Sequence, residues 1–170
     1  MNVLNVLLSV ALVLFIIGSA YFIKIDSKNK QLDTTTPNFI STKYSETNLR
    51  TGPNLEYPII YTYNIRRMPL KVIDIYNDWY QIEDMYGQRG WIYKNLVNSQ
   101  KNGIVLREAE VKISNNRLTK VIAIIKPYNI VKIISCNSLQ NLCKIEFFVK
   151  ERDINYKGWI PKSTLWGDTN

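Results

Sequence analysis

The chain has 170 residues, with 22 Lys and Arg against 14 Asp and Glu, a formal net charge of +8, and 46% hydrophobic residues. That apolar share excludes wholesale disorder, and the length allows one domain, or two small ones behind a leader or anchor. Histidine is absent and only two cysteines occur, which excludes Ser-His-Asp and Cys-His hydrolases and a Cys₄ zinc site, so neither metal nor cofactor is expected.

Val3 to Phe22 carries no charge and is mostly Leu, Val, Ile and Ala. Leu4 to Ile17 has the length of a signal-peptide hydrophobic region, and Gly18-Ser19-Ala20 offers small residues for cleavage. No Lys or Arg precedes the run, which is a poor signal n-region. Counted on to Ile23, the stretch reaches the roughly 20 residues that span a bilayer. Residues 1–23 therefore read as a signal peptide or as an uncleaved inner-membrane anchor. A buried core helix fits poorly, because such a helix normally shows a polar face. Both leading readings export the rest of the chain to the periplasm or cell envelope. Lys24, Lys28 and Lys30 follow the segment and point the other way by the positive-inside count; the cysteine pair outweighs them.

Residues 24–43 are polar and lack sustained periodicity, as expected of a flexible linker. Two segments of similar plan follow. In the first, residues 44–98, Asn48-Leu49-Arg50-Thr51-Gly52-Pro53 is a short strand entering a loop. Leu70 to Tyr76 and Trp79 to Glu83 form a hairpin about Asn77-Asp78, Gly90-Trp91-Ile92-Tyr93 is the next strand, and Lys94 to Val97 suits one helical turn. In the second, residues 103–167, Val131 to Asn137 and Leu142 to Glu146 repeat the hairpin, Gly158-Trp159-Ile160 repeats Gly90-Trp91-Ile92, and Leu165 follows as Leu96 does. Short strands with close turns and almost no helical period predict a mainly β protein of two small barrels after an N-terminal apolar helix.

These residues resemble the bacterial SH3-like (SH3b) family in its exported tandem form. The motif is Asn48, Leu49, Arg50, Gly52 and Pro53, then Tyr57-Pro58-Ile59, a hairpin carrying Trp79, and Gly90-Trp91-Ile92 with Leu96. In the second segment the opening has become Val111-Lys112-Ile113-Ser114-Asn115-Asn116, and Leu142 replaces the hairpin Trp. The resemblance covers the 120 or so residues after the linker and implies tandem SH3-like barrels that bind cell-wall peptides or act as targeting modules.

Cys136 and Cys143 align with Tyr76 and Tyr80, positions flanking the hairpin turn, so a cross-strand disulfide is expected. Its eight-residue loop would contribute roughly 2–2.5 kcal/mol on the chain-entropy estimate. The alternative is a reduced buried pair in the cytoplasm; an oxidised pair implies an oxidising compartment.

Charge and aromatic residues divide between the segments. Residues 37–98 hold 7 basic and 6 acidic side chains, net +1, and residues 99–170 hold 12 and 6, net +6. Arg107, Lys112, Arg117, Lys120, Lys126 and Lys132 are the candidates for an anionic envelope surface. A solubilising surface is the simpler alternative, and nucleic acid is set aside because an exported chain rarely meets it. Nine Tyr and Trp fall between Tyr57 and Tyr93. Trp91 is expected to fill the barrel, while Tyr57, Trp79 and Tyr93 are the candidates for a peptide groove, with plain packing as the alternative.

The expected function is a non-enzymatic envelope binding or scaffold protein, with a peptidoglycan peptide or an envelope protein as partner and the membrane as a further one if residues 3–23 stay attached. The alternative is a structural or regulatory domain for another envelope protein, without a wall ligand. Glu83 and Asp84 are the sole candidates for acid–base chemistry, and neighbours on a strand point to opposite faces.

Overall fold

The computed structural model describes residues 37–116, 119–149 and 153–169. The N-terminal signal or anchor, most of the linker and Arg117 lie outside these residues. Among the described residues no helix is long and apolar enough to cross a membrane.

Residues 37–170 form one compact unit made of two antiparallel seven-stranded sheets. The first contains β1 (Phe39–Thr42), β2 (Thr47–Arg50), β3 (Ile59–Tyr63), β4 (Pro69–Tyr76), β5 (Trp79–Glu83), β6 (Arg89–Tyr93) and β7 (Val97–Asn98), in the order β3-β2-β6-β5-β4-β1-β7. The second contains β8 (Asn102–Val105), β9 (Ala109–Lys112), β10 (Val121–Ile125), β11 (Ile130–Asn137), β12 (Leu142–Val149), β13 (Ile154–Pro161) and β14 (Leu165–Gly167), in the order β10-β9-β13-β12-β11-β8-β14. Shifting every label by seven converts one order into the other. The repeat read from Gly-Trp-Ile is therefore a repeat of topology, down to 3-10 turns at Lys94–Leu96 and Lys162–Thr164.

The expected barrels are corrected to open sheets. β7 has two residues, and they pair with β1. Among the described residues that leaves no strand to bridge to β3 at the far edge. The linker also ends sooner than expected: Phe39–Thr42 is a strand that pairs with β4 and β7 and buries Ile40, Ser41 and Thr42.

Each sheet has its own apolar core, and the strand registers make the cores correspond. Leu49, Leu70, Val72, Ile82 and Ile92 in the first take the places of Val111, Val131, Ile133, Ile145 and Ile160 in the second. Both β4–β5 and β11–β12 carry a bulge at the same place, between Val72 and Asp74 and between Ile133 and Ser135. This register puts Cys136 at the place of Ile75 rather than Tyr76, and Leu165 at that of Val97 rather than Leu96.

The Gly-Trp-Ile repeat has a packing cause. β6 meets β2 at the single pair Arg50–Trp91, and β13 meets β9 at Lys112–Trp159. A Cβ on Gly90 would sit 2.6 Å from Leu49 Cγ and 2.8 Å from the Arg50 carbonyl oxygen. A Cβ on Gly158 would collide with Val111 Cγ1 and lie 2.9 Å from the Lys112 carbonyl oxygen. Only glycine permits this approach. Strand alternation then buries Gly90 and Ile92 and turns Trp91 to the half-buried face. The expectation that Trp91 fills the core is corrected: Ile92 and Ile160 do so, each 0% exposed.

The sheets meet where β8 and β14 pack against β1 and β4. Ile104 belongs to the first sheet's core, with Ile130 and Trp166 packed on it, and Phe39 meets Trp166 edge-on at 5.2 Å. Asn102 Nδ2 donates to Ser41 Oγ (3.0 Å), which donates to the Gln100 carbonyl (2.8 Å). The disulfide Cys136–Cys143 closes the β11–β12 hairpin, with Cα atoms 4.0 Å apart in facing positions.

Candidate functional site

The Asn48–Pro53 motif shapes a loop. Leu49 is fully buried, and Asn48 Oδ1 accepts from Thr62 Oγ1 at 2.8 Å, fastening β2 to β3. Arg50 Nη1 donates to the carbonyls of Leu55 (2.8 Å) and Tyr57 (2.7 Å), which holds the β2–β3 loop in its curve. Gly52 is buried under the Tyr57 ring, where a Cβ would lie 2.6 Å from ring atoms, and Pro53 is half-buried beside it.

The three groove candidates separate. Trp79 is buried and Tyr93 half-buried, with rings 5.4 Å apart at the end of the β4–β5 hairpin. Tyr57 is exposed and its contacts named above are with its own loop.

A pocket of about 340 Å³ opens elsewhere on the first sheet, between the end of β3 and the β5–β6 turn. Tyr61, Tyr63, Asp84, Tyr86 and Gln88 line it, over Ile65 and Met68. Tyr61 and Tyr63 meet edge-to-face at 4.9 Å. Asp84 is buried, 4% exposed. Its Oδ1 accepts the Tyr86 and Gln88 backbone N–H groups, both at 2.9 Å, and its Oδ2 accepts the Tyr63 hydroxyl at 3.2 Å. All three donors are neutral, so the pocket keeps a negative field against aromatic faces. Burial, then the Asp84 charge, push the Tyr63 phenol well above its ordinary value near 10. Glu83 faces away and pairs with Arg89 at 2.6 Å, so the two carboxylates do not converge.

The second sheet builds the same place differently. Glu83 and Glu146 hold equivalent registers, opposite Lys71 and Lys132, so Phe147 takes the place of Asp84. Tyr63 faces Thr47 and Ile125 faces Ala109, so Ile125 takes the place of Tyr63. One sheet has a hydrogen-bonded Tyr–Asp pair where the other has an Ile–Phe pair. The fold accepts either.

Of the basic candidates, Lys126 and Lys132 line one cleft, of about 490 Å³, together with Arg67 of the β3–β4 turn. Arg107 donates to Ser163 Oγ at 3.1 Å and, with Lys112 and Lys120, stands outside that cleft.

Among known protein families, the bacterial SH3 domain model matches part of the chain. Residues 43–98 match the bacterial SH3 domain family. The bacterial SH3 match spans β2 to β7 and includes every residue of the tyrosine pocket. No curated protein matches the chain. Solved structures with some likeness include NlpC2 and NlpC1 from Trichomonas vaginalis, both 13% identical with a TM-score of 0.32. They cover 78% of this chain and 49% and 47% of theirs. An NlpC/P60 family protein from Bacillus cereus ATCC 10987 is 11% identical with a TM-score of 0.33, over 78% of this chain and 57% of its own. The chain spans about half the length of these structures, and likeness at this level carries no functional argument.

The tyrosine pocket escaped the sequence reading. Tyr63 and Asp84 are 21 residues apart, and neither stands out within a run of aromatic and polar residues. The one signal was the tyrosine excess itself.

Proposed function

We propose that the protein is a non-enzymatic binding module of the cell envelope, and that its first sheet holds a peptide by a cationic group. Bacterial SH3 domains commonly bind peptidoglycan or cell-wall components, which supports the envelope assignment. The observation that carries the reading is the buried Asp84 carboxylate beneath Tyr61, Tyr63 and Tyr86. Burying a charge is costly, and the second sheet folds with Phe147 in its place. A carboxylate ringed by tyrosine faces suits an ammonium or guanidinium group, through charge and cation–π attraction together. The ligand class is therefore a peptide with an exposed amine, as a diamino acid in a wall stem peptide provides. The hydroxyl that meets Asp84 is the Tyr63 phenol, whose burial holds it protonated, which supports binding without turnover.

The full chain should sediment with purified peptidoglycan. Tyr61→Ala with Tyr86→Ala should lose that binding while keeping the fold, since both rings are substantially exposed, 47% and 72%. Unchanged sedimentation by the double variant would refute the assignment of this pocket. Retention on envelope proteins with none on peptidoglycan would favour the scaffold alternative.

A further inference from the structure

The two sheets carry a cleft at the same place, one acidic and one basic. In the first, Leu49 pairs with Tyr61, and Tyr61 and Tyr63 line the tyrosine pocket. In the second, Val111 pairs with Ala123, and Ala123 to Ile125 line the cleft of about 490 Å³. Its other walls come from the β10–β11 turn, β11, β12, β13 and the turn before β4. They set the exposed cations Arg67, Lys126 and Lys132 around the exposed side chains of Ile124 (60%) and Phe148 (54%). Among the described residues Glu146 is the one carboxylate in this lining, and it lies 3.7 Å from Lys157.

The cleft also borders an edge strand. Among the described residues β10 pairs with β9 alone. Val121 (38% exposed) and Ile124 (60%) project from it. An apolar edge with one unpaired side is a template for a further strand.

We propose that this cleft and the outer edge of β10 bind an extended acidic peptide, which adds a strand to the second sheet. The backbone of β10 supplies the ladder. Arg67, Lys126 and Lys132 select acidic side chains, and Ile124 and Phe148 take the apolar side chains between them. Charge complementarity decides the occupant: residues 99–170 carry 12 basic and 6 acidic side chains, net +6. A second copy would bring the same cations to the same edge and be repelled. A lipid headgroup would use the cations and leave the strand edge unpaired. The inference is independent of the tyrosine pocket.

The test uses the full chain and a fluorescent, alternating glutamate–valine peptide of about eight residues, long enough to line one strand. Its anisotropy should rise on binding at about 0.1 M salt. Lys126→Glu with Lys132→Glu should weaken binding about tenfold or more and turn the preference to the lysine–valine peptide. Both lysines are exposed, so the fold should survive; if it does not, Ile124→Glu replaces them, with the same loss expected. N-methylating alternate amides of the probe should abolish binding by removing its ladder donors. Equal binding of the N-methylated probe would overturn strand addition. No binding of the probe, capture of the chain by phosphatidylglycerol vesicles in its place, or a dimer that Ile124→Glu dissociates would each overturn the proposal.

Discussion

Gly90→Ala tests the crossing of β6 over β2. Propensity alone favours the change, because alanine in a strand interior is better than glycine by about 0.5–1 kcal/mol. The structure argues the opposite sign. The new methyl would lie 2.6 Å from Leu49 Cγ and 2.8 Å from the Arg50 carbonyl oxygen, against ordinary contacts of 3.4–4 Å. Neither neighbour yields easily: Leu49 is 0% exposed and the other atom is backbone. Overpacking of this kind costs about 1–3 kcal/mol, and two obstructed contacts put Gly90→Ala near about 3 kcal/mol. Gly87→Ala is the control. Gly87 has φ 81° and nothing within 4 Å of a built Cβ, so its cost is the left-handed backbone penalty alone, about 1–2 kcal/mol. Urea unfolding of the full chain, followed by tryptophan fluorescence, measures both. Leu49→Ala should reduce the penalty of Gly90→Ala in the double variant, because one of the two collisions disappears. A Gly90→Ala protein as stable as Gly87→Ala, or more stable than the parent, would refute the reasoning.

Ile92→Ala should cost about 2–5 kcal/mol and Trp91→Ala distinctly less, read from the same unfolding curves; the reverse order would restore Trp91 to the core. Alkylation without reductant should find neither Cys136 nor Cys143 labelled, and reduction should lower stability by about 2–2.5 kcal/mol. Tyr63 keeps its proton in the folded state above the pH at which it ionises in the unfolded chain, near 10. Its contribution is therefore complete below about pH 10 and falls by about 1.4 kcal/mol per pH unit above it. Tyr63→Phe should flatten that alkaline loss, as urea midpoints between pH 9 and about 11.5 would record.

The sequence made the hairpins legible because their strands are β-branched and their turns sharp: Asn77 and Asn141 adopt positive φ, 48° and 53°, where asparagine is tolerated. The cysteine pair was legible from repeat alignment even though that alignment was one residue off at Cys136, since either register leaves the two thiols beside the turn. Which face of Gly90-Trp91-Ile92 points inward was not legible. Alternation allows either face, and the choice is made by Leu49, 41 positions earlier, occupying the space above Gly90. Phe39–Thr42 was missed because Pro37, Asn38, Ser41 and Thr42 give it a polar look, while its burial comes from pairing with strands far along the chain. The tyrosine pocket was hidden for the same reason: it exists only once the β5–β6 turn brings Asp84 under Tyr63.

The most direct measurement of the central claim is calorimetric titration of the full chain with a soluble wall stem peptide, before and after acetylation of its free amine. Binding through Asp84 and its tyrosines predicts that acetylation removes the heat of binding, and that Tyr61→Ala with Tyr86→Ala removes it for the unmodified peptide. Equal affinity for the acetylated and unmodified peptides would contradict recognition of the cationic group in this pocket.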